Sequence, residues 1–325
     1  MGIKKDQLIV RRLKKYFDTP AGKLHAVDDV TFTIKEGETL GVVGESGCGK
    51  STMGRAILRL HEPTSGQVIF DGVDVTQLKQ SEMKAMRTRM QIIFQDPYSS
   101  LNPRMTVSEA IKEPLLIHKI YTGKQREELN RHVQKMMDLV GLASRLVNAY
   151  PHELDGGRRQ RIGIARALAV DPKFIVCDEP VSALDVSIQA QVLNLMQDLQ
   201  KQLGITYLFI THDLSVVKHL SNDIVVMYLG EIVEKCPAKQ LFKNPVHPYT
   251  KALLSAIPVA DPDYSVKRID LSGELTSPIE PPAGCRFAKR CAWVNDECRN
   301  RPYRLTEVEP GHFVSCQQFA KPMDS

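Results

Sequence analysis

The stretch GESGCGKS, Gly44 to Ser51, constrains the fold of this chain more than any other part of it. Its pattern is a glycine, four residues and then Gly-Lys-Ser, which lets successive backbone N–H groups point at one anion. An apolar run, TLGVV, leads into the stretch, and helix-forming residues follow it, so the positive end of a helix faces the same anion. The sequence therefore predicts a strand, a phosphate-binding loop and a helix, and a glycine turn without a ligand is the less favoured interpretation.

Apolar strands alternate with helices through most of the chain. KFIVCDE, ITYLFITHD and DIVVMYLGEIVEK have the composition of buried strands, and DVSIQAQVLNLMQDLQKQLG has that of a helix. This alternation indicates an α/β protein with a parallel sheet covered on both faces. We also expect strands over residues 27–43, joined by a Glu-Gly turn, a hairpin in GQVIFDGVDV, and a helical block from about residue 104 to 150.

The composition of the chain is that of an ordinary globular protein, with 42% hydrophobic and 25% charged residues among 325. No apolar run approaches the roughly 18 residues that span a bilayer, and the first residues lack the apolar block of a signal peptide. We therefore expect a cytoplasmic protein. The net charge of +5 is mild, and no long Lys/Arg block calls for a nucleic-acid partner.

Two acidic residues, Asp178 and Glu179, end the apolar run FIVCDE. At a strand end, one acid can hold Mg²⁺ and its neighbour can orient or deprotonate an attacking water. Such a pair is usually a solvated loop when it stands alone, but a phosphate loop in the same chain favours the catalytic interpretation. His212 ends the run FITH in a similar place, although a lone histidine is more often structural.

The stretch ELDGGRRQR places an acid, Asp155, directly before Gly156 and Gly157 at the predicted start of a helix. One interpretation is a helix cap, because aspartate is preferred there and the helix dipole favours its charge. The other is that the carboxylate also weakens a phosphate site, with Arg158 and Arg159 as compensating cations. The two interpretations are compatible, and both stay open at this point.

The motifs together resemble the ATP-binding cassette (ABC) ATPases. Residues Gly44 to Ser51, IIFQDP, LDGGRRQR, FIVCDEP, SALD and THD occur in the order of that family, and the resemblance covers about residues 8 to 240. It implies a P-loop (RecA-like) core with a parallel sheet, an antiparallel β subdomain and a helical subdomain at about 96–155. It also implies a head-to-tail pair with a sister ATPase, in which each ATP lies between the phosphate loop of one cassette and the signature turn of the other.

The resemblance assigns roles to individual residues. Phe17, with Tyr16 second, matches the aromatic residue that stacks on adenine, and Gln95 matches the residue that couples the site to membrane subunits. Ser51, Gln95 and Asp178 would hold Mg²⁺. The expected catalytic residues are Lys50, Gln95, the base Glu179 and the switch His212. The full expected ATP-binding set is Phe17, Tyr16, Gly44, Glu45, Ser46, Gly47, Cys48, Gly49, Lys50, Ser51, Thr52, Gln95, Asp155, Gly156, Gly157, Asp178, Glu179 and His212.

The end of the chain resembles the C-terminal extension of the dipeptide and oligopeptide importer ATPases, in their second or F subunit. NPVHPYTKALLSAIP and LSGELTSPIEPPAGCRF carry this resemblance, which predicts a nucleotide-binding domain over 1–257 and an extension over 258–325. It implies two membrane permeases and an extracytoplasmic peptide-binding protein as partners, with this chain at the cytoplasmic face of the membrane. Importers of nickel or other small solutes have related ATPases and remain an alternative.

Two further functions are weighed against import. A soluble cassette protein acting on ribosomes or DNA would also hydrolyse ATP, but this chain has neither two cassettes with an N-terminal cluster nor a long coiled-coil insertion. A nucleotide-holding regulator without turnover is disfavoured because Glu179 and His212 are both present.

Four of the seven cysteines crowd the last 41 residues, at Cys285, Cys291, Cys298 and Cys316. Four thiolates can hold a [4Fe-4S] cluster or a tetrahedral zinc ion, and tight C-x2-C pairs typical of zinc are lacking. The family's tail is associated with an iron-sulfur cluster, which favours the cluster; zinc and free thiols stay open. We expect a structural clamp, whose loss leaves ATP binding largely intact because the phosphate loop belongs to a different domain.

Overall fold

The computed structural model describes residues 4–257, 269–271, 277–301 and 304–319, so residues 272–276 of the LSGELTSP motif lie outside the described residues. The strands are β1 (Asp6–Thr19), β2 (Gly22–Lys35), β3 (Thr39–Val43), β4 (Ser65–Phe70), β5 (Val73–Asp74), β6 (Met90–Ile93), β7 (Phe174–Asp178), β8 (Thr206–Ile210), β9 (Asp223–Tyr228), β10 (Glu231–Pro237), β11 (Thr306–Glu309) and β12 (His312–Val314). The helices are α1 (Lys50–Ile57), α2 (Gln80–Arg89), α3 (Val107–Ile117), α4 (Arg126–Leu139), α5 (Gly156–Leu168), α6 (Val186–Leu203), α7 (Leu214–Leu220), α8 (Ala238–Lys243), α9 (Pro248–Ser255) and α10 (Asp296–Asn300).

The chain divides into two compact units, which exchange segments along the sequence. Unit 1 comprises Met1–Gln7, Lys35–Glu38 and Gly72–Ile210, and unit 2 comprises Leu8–Ile34, Thr39–Asp71 and Thr211–Ser325.

Unit 1 contains a parallel sheet and a helical part. Its strands β8, β7 and β6 are neighbours in that order, all parallel, and every residue of β7 and β8 is buried. Burial on both faces is why these strands are continuously apolar, and it confirms the predicted parallel sheet. In the helical part, α3 and α4 both pack against α5. They occupy the helical block predicted for about residues 104 to 150.

Unit 2 builds a second set of strands around the phosphate loop. β3 lies parallel to β9, whereas β9, β10, β12 and β11 follow one another in antiparallel pairs. Most of β1 pairs with β2 on one side and antiparallel with β4 on the other. The expected combination of parallel and antiparallel strands is therefore present.

One sequence prediction is wrong in detail, because DIVVMYLGEIVEK forms a hairpin rather than one strand. The chain reverses between Tyr228 and Glu231, which face each other across the antiparallel pair. The turn residues, Leu229 and Gly230, both have positive φ, at 43° and 87°. Two successive positive φ angles suit a tight hairpin turn, but leucine seldom adopts one, so the local sequence hid the turn.

The C-terminal extension contains regular structure that its composition did not predict. The hairpin of β11 and β12 joins unit 2 through β12, which pairs with β10. The buried side chains of His312 and Glu234 meet across this pairing, with 2.7 Å between Nε2 and Oε1. A loop-rich segment thus becomes ordered because β10 offers it a strand edge and a buried polar partner. In the part of the chain that the structure describes, no helix combines the length and hydropathy that a membrane crossing needs.

Candidate nucleotide and cysteine sites

The phosphate loop in unit 2 has a backbone that only glycine can form. Gly44 and Gly49 have φ angles of 151° and 102°. A Cβ atom on Gly49 would lie 1.9 Å from the carbonyl oxygen of Ala26, and one on Gly44 would lie 2.2 Å from that of Met227. Gly47, with a φ of 78°, has no atom within 4 Å of its Cβ position. The loop therefore has the tight, open-sided form that backbone binding of phosphate requires.

Lys50 begins α1 and turns its side chain back across the loop. Its Nζ donates to the carbonyl oxygens of Gly44 and Glu45 at 2.8 and 2.9 Å, and the residue is only 4% exposed. The first turn of α1 contains no acidic residue, so the positive end of the helix is not neutralised there. A buried ammonium and an unopposed helix terminus fit a polyphosphate.

The two candidate aromatic residues on β1 have different surroundings. The ring of Tyr16 stacks on that of His25, with centroids 4.0 Å apart, and its hydroxyl donates to Asp28. Phe17 instead meets His61 at right angles, with centroids 5.6 Å apart. Tyr16 thus uses its ring face and its hydroxyl within the fold, whereas the ring of Phe17 has Nζ of Lys15 4.7 Å from its centroid.

Unit 1 brings together two of the predicted catalytic residues, Gln95 and Glu179, and the predicted Mg²⁺ ligand Asp178 at the end of β7. Asp178 is fully buried as its last residue. Glu179 follows with a φ of 47°, and the Nε2 atom of Gln95 donates to its Oε2 at 2.9 Å. A non-glycine residue in the left-handed region is strained and is commonly found at functional sites. The side-chain oxygens of Asp178 and Gln95 are of the hard type that Mg²⁺ prefers. The third predicted ligand, Ser51, is in the first turn of α1 and belongs to unit 2.

His212 lies in unit 2, just before α7. The backbone N–H of the preceding residue, Thr211, donates to the carbonyl of Val42 at 3.1 Å, which fixes this segment beside β3. Asp213 caps α7 by accepting from Ser215 N at 2.8 Å. The position of His212 is thus set by the strand that leads into the phosphate loop.

Asp155 is the N-cap of α5, as the sequence predicts. Its Oδ1 accepts from the backbone N–H of Arg158 at 2.7 Å, and its Oδ2 lies 3.3 Å from Nη1 of the same residue. A Cβ on Gly157 would lie 2.6 Å from Cγ2 of Ile188, so a side chain there would press on α6. Gly156 has Leu184 at 3.1 Å from its Cβ position.

Arg159 does not compensate the charge of Asp155, and that part of the prediction is wrong. Its buried Nε donates to the carbonyl of Pro151 at 2.5 Å, and its guanidinium carbon lies 3.6 Å from the ring centroid of Tyr98. One residue farther along a helix turns the side chain by roughly 100°, which directs Arg159 inward and leaves Arg158 on the side of Asp155.

The four cysteines of the extension line one cavity in unit 2, together with Phe287, Trp293 and Pro248 among others. Burial is the main cause that raises the pKa of Cys285 to about 12, with additional contributions from its neighbours Cys298, Cys316 and Cys291. Cysteines bind metals as thiolates, and a bound cation favours loss of the thiol proton. Convergent cysteines with apolar surroundings are therefore suited to a metal centre.

A second group of metal-binding residue types lies nearby in unit 2. One ligand atom from each of Glu234, Cys236 and His312 lies within 4.8 Å of the others. The Glu234 carboxylate, however, already accepts from Val246 N at 2.8 Å, from His247 N at 2.9 Å and pairs with His312. Its contacts describe a hydrogen-bonded junction between β10, β12 and the start of α9.

Comparisons with known proteins agree with this geometry. The family model described as ABC transporter matches residues 27–182, and the model described as oligopeptide/dipeptide transporter, C-terminal region, matches residues 233–298. The chain is 53% identical over 317 residues to the putative oligopeptide transport ATP-binding protein YkfD of Bacillus subtilis, covering 96% of this chain and 95% of that one. It is 50% identical over 323 residues to the oligopeptide transport ATP-binding protein AppF of the same organism, covering 96% and 97%.

The chain belongs to the ABC transporter ATPases. Among solved structures, this ABC ATPase resembles the ATP-binding cassette MJ0796, a dimer in a post-hydrolysis state bound to ADP and Pi. The TM-score is 0.65 at 30% identity, covering 71% of this chain and 98% of that one. The cassette cbiO1 of Clostridium perfringens has the same TM-score at 26% identity, covering 74% and 92%. These matches confirm the ABC cassette fold that the motifs predict.

Sequence reasoning about this ABC ATPase missed residues that support the sites from a distance. Gly230, in the turn between β9 and β10, donates to the carbonyl of Cys48 at 2.8 Å. Arg286, beside Cys285, bonds to Asp28, which also accepts from Tyr16. Nothing in the local sequence marks these residues, because each acts through a partner far along the chain.

Proposed function

We propose that this ABC ATPase is an ATP-binding subunit of an oligopeptide importer. The observation that carries the proposal is the match of residues 233–298 to the oligopeptide/dipeptide transporter C-terminal region, since cassettes in general need no such extension. The names of YkfD and AppF, which align over nearly the whole chain, support the same transport function. In this proposal residues 1–257 form the nucleotide-binding domain, with a helical subdomain near 96–155, and residues 258–325 form the extension.

ATP would bind first through the phosphate loop and the residues around it. Phe17 would stack on adenine, while the backbone N–H groups from Glu45 to Thr52 and the ammonium of Lys50 would surround the phosphates. Mg²⁺, held through Ser51, Gln95 and Asp178, would neutralise the charge that develops on the phosphates. Lys50, now bonded to two carbonyls of its own loop, would exchange these bonds for phosphate oxygens.

Hydrolysis would depend on Glu179 as the base that orients and deprotonates water. Its bond from Gln95 holds the carboxylate in one place, and the left-handed backbone of Glu179 directs the residue away from the buried end of β7. His212 would complete the site as the contact to the γ-phosphate. Because Gln95 touches both the base and the proposed Mg²⁺ site, movement of its segment would change catalysis.

The chain would work as one of a head-to-tail pair of cassettes, with a sister ATPase. The dimeric form of the solved cassette MJ0796 supports this arrangement. Each signature turn, here Asp155 to Gly157, would then face the phosphate loop of the partner, with its helix N-terminus directed at the γ-phosphate.

Two membrane permeases would bind on the helical part of unit 1. Large apolar side chains are exposed there, including Tyr98 at 64%, Leu116 at 49%, Ile117 at 53% and Tyr150 at 40%. Exposed apolar groups of this size suit an interface with hydrophobic proteins, and Tyr98 lies three residues after the coupling residue Gln95. An extracytoplasmic peptide-binding protein would deliver substrate to these permeases, and this chain would stay at the cytoplasmic face of the membrane.

The four cysteines that line the cavity, Cys285, Cys291, Cys298 and Cys316, would hold a [4Fe-4S] cluster, with zinc as the alternative. All four converge and their surroundings are apolar, which fits a cluster ligated only by thiolates. The cluster would stabilise a segment with few buried apolar residues. Anaerobic purification and metal analysis test this directly. About four irons per chain would support the cluster, and one zinc per chain would support the zinc site instead. A chain that contains neither iron nor zinc would refute both sites.

Transport is tested by reconstituting the chain with its sister ATPase, the two permeases and the binding protein in vesicles. Oligopeptides added with the binding protein should stimulate ATP hydrolysis and accumulate inside, and Glu179→Gln should abolish both. Uptake of nickel or another small solute, with no response to peptides, would contradict the peptide assignment. Failure of the chain to copurify with any permease would contradict the transport function itself.

A further inference from the structure

The cysteine segment is joined to the phosphate loop by a two-point ion pair. Arg290, which precedes Cys291, directs Nη1 and Nη2 to the two carboxylate oxygens of Glu45, at 2.8 and 3.1 Å. The side chain of Arg290 is 8% exposed and that of Glu45 is 21% exposed. Arginine and a carboxylate in this parallel arrangement form one of the stronger and more directional contacts in proteins, and low exposure limits its screening by solvent.

A second contact holds Glu45 from its backbone. The backbone N–H of Glu45 donates to the hydroxyl of Tyr249 at 2.8 Å. The ring of Tyr249 packs on that of Phe287, with centroids 5.5 Å apart, and Phe287 lies in the same segment as Arg290. Glu45 is therefore contacted directly by Arg290 of the segment between Cys285 and Cys291, and indirectly by Phe287 of that segment through Tyr249.

Glu45 is an unfavourable residue for a phosphate loop unless its charge is balanced. Its carbonyl accepts from Nζ of Lys50, so the position of its backbone also sets the position of that ammonium. Its carboxylate adds a negative charge next to a site for a polyphosphate, and like charges close together repel. Arg290 offsets this charge and fixes the residue that bears it.

We propose that Arg290 is a positioning residue for ATP: it holds the phosphate loop through Glu45, so that the cysteine segment sets the affinity of the loop for nucleotide. Arg290 touches neither ATP nor the reacting atoms in this assignment. The sequence predicts that loss of the cysteine site leaves ATP binding largely intact because the loop belongs to a different domain. The contacts of Arg290 and Tyr249 contradict the idea of separate domains, because the cysteine segment and the phosphate loop lie in one unit and are in contact.

The test is a double-mutant cycle on the purified full-length chain, read by equilibrium binding of a fluorescent ATP analogue. Arg290→Ala should weaken binding about tenfold, the size expected for one charge-assisted, two-point contact. In a Glu45→Ala background the same substitution should change affinity less than twofold, because its partner is gone. Lys289→Ala removes the neighbouring exposed cation and should change nothing.

Two further readouts separate positioning from a general loss of structure. Arg290→Lys should recover only part of the affinity, because an ammonium cannot bridge both carboxylate oxygens in the same way. In the assembled transporter, Arg290→Ala should raise KM for ATP about tenfold and leave kcat within about twofold. The proposal is overturned if Arg290→Ala weakens binding equally with and without Glu45, or if it leaves affinity unchanged.

The extension of this inference to the metal rests on the proposed [4Fe-4S] or zinc site. Removing the metal with a chelator should weaken binding of the ATP analogue to the native chain by about the factor seen for Arg290→Ala, and should have little effect on the Arg290→Ala variant. Metal removal without any effect on the native chain would refute this link. If the native chain contains no metal, the cluster proposal fails, whereas the double-mutant cycle still decides the role of Arg290.

Discussion

The side-chain amide of Gln95 donates through Nε2 to Oε2 of Glu179 at 2.9 Å. Glu179 has a left-handed backbone and follows a fully buried aspartate, so its backbone is fixed by the strand that precedes it. The amide of Gln95 then fixes its carboxylate. This arrangement places a carboxylate at the end of a parallel strand, where ligands of α/β proteins commonly bind.

Glu179→Gln should therefore abolish hydrolysis while ATP remains bound. The amide has nearly the shape of the carboxylate but cannot accept a proton from water, and loss of a general base costs roughly 100-fold to 10,000-fold in rate. Steady-state turnover and equilibrium binding of ATP would be measured on the same preparation. Turnover near that of the native chain would show that another group acts as the base.

Lys50→Ala should act by a different route, through binding. Its Nζ is buried beside the loop carbonyls, where we propose that it meets the phosphates of bound ATP. Without it the affinity for ATP should fall by at least tenfold, whereas the affinity for adenosine, which has no phosphates, should be unchanged. Equal losses for the two ligands would indicate a misfolded loop rather than a lost charge.

The elements predicted most accurately from sequence are those that local patterns determine. The glycines of the phosphate loop must have positive φ angles, and the apolar runs KFIVCDE and ITYLFITHD become buried parallel strands. Asp155 caps α5 because the preference for aspartate at that position needs no distant partner.

The parts that sequence could not predict depend on tertiary contacts. The hairpin of β11 and β12 forms in a polar segment because β10 offers it an edge, and Arg159 turns inward because Tyr98 and the carbonyl of Pro151 receive it. The pair of Arg290 and Glu45 joins residues 245 positions apart, so neither residue carries a local signal of it.

Asp28 should make the stability of unit 2 depend on pH. Burial by itself raises its pKa, but hydrogen bonds from Tyr16 and His25 and the charges of Arg286 and Lys14 outweigh burial and lower the pKa from 3.8 to about 2. A lowered pKa means that the ionised form stabilises the fold above pH ~4 and that this contribution disappears as the pH falls through about 2. The shift corresponds to about 2 kcal/mol of the free energy of unfolding.

Chemical denaturation should show that Asp28→Asn lowers the free energy of unfolding relative to the native chain near neutral pH. The difference in unfolding free energy should shrink below pH ~4. Asp29→Asn is the matched control, because its partner Arg12 has a largely exposed side chain and an exposed ion pair contributes roughly 0–1 kcal/mol. If Asp28→Asn lowers the free energy of unfolding by the same amount at neutral and low pH, the effect comes from altered packing and hydrogen bonding rather than from the lost charge.

The last prediction concerns Asp155, whose cap and whose charge can be separated by substitution. Serine caps a helix about as well as aspartate, so Asp155→Ser should keep α5 folded while it removes a negative charge and adds a hydroxyl donor. The ion pair to Arg158 offsets that charge only in part, since the side chains of Asp155 and Arg158 are 59% and 48% exposed. At the head-to-tail interface, the carboxylate would face the γ-phosphate on the sister ATPase, and unit charges at ~4 Å repel by roughly 4 kcal/mol at an effective dielectric of about 20.

We therefore expect unequal sites: ATP on Lys50 and Glu179 of this chain turns over, while ATP on the sister turns over slowly. With Glu179→Gln silencing the first site, Asp155→Ser should raise the remaining turnover severalfold, and Asp155→Asn, which caps without the charge, should raise it less. If neither substitution exceeds Glu179→Gln alone, Asp155 serves only to cap α5.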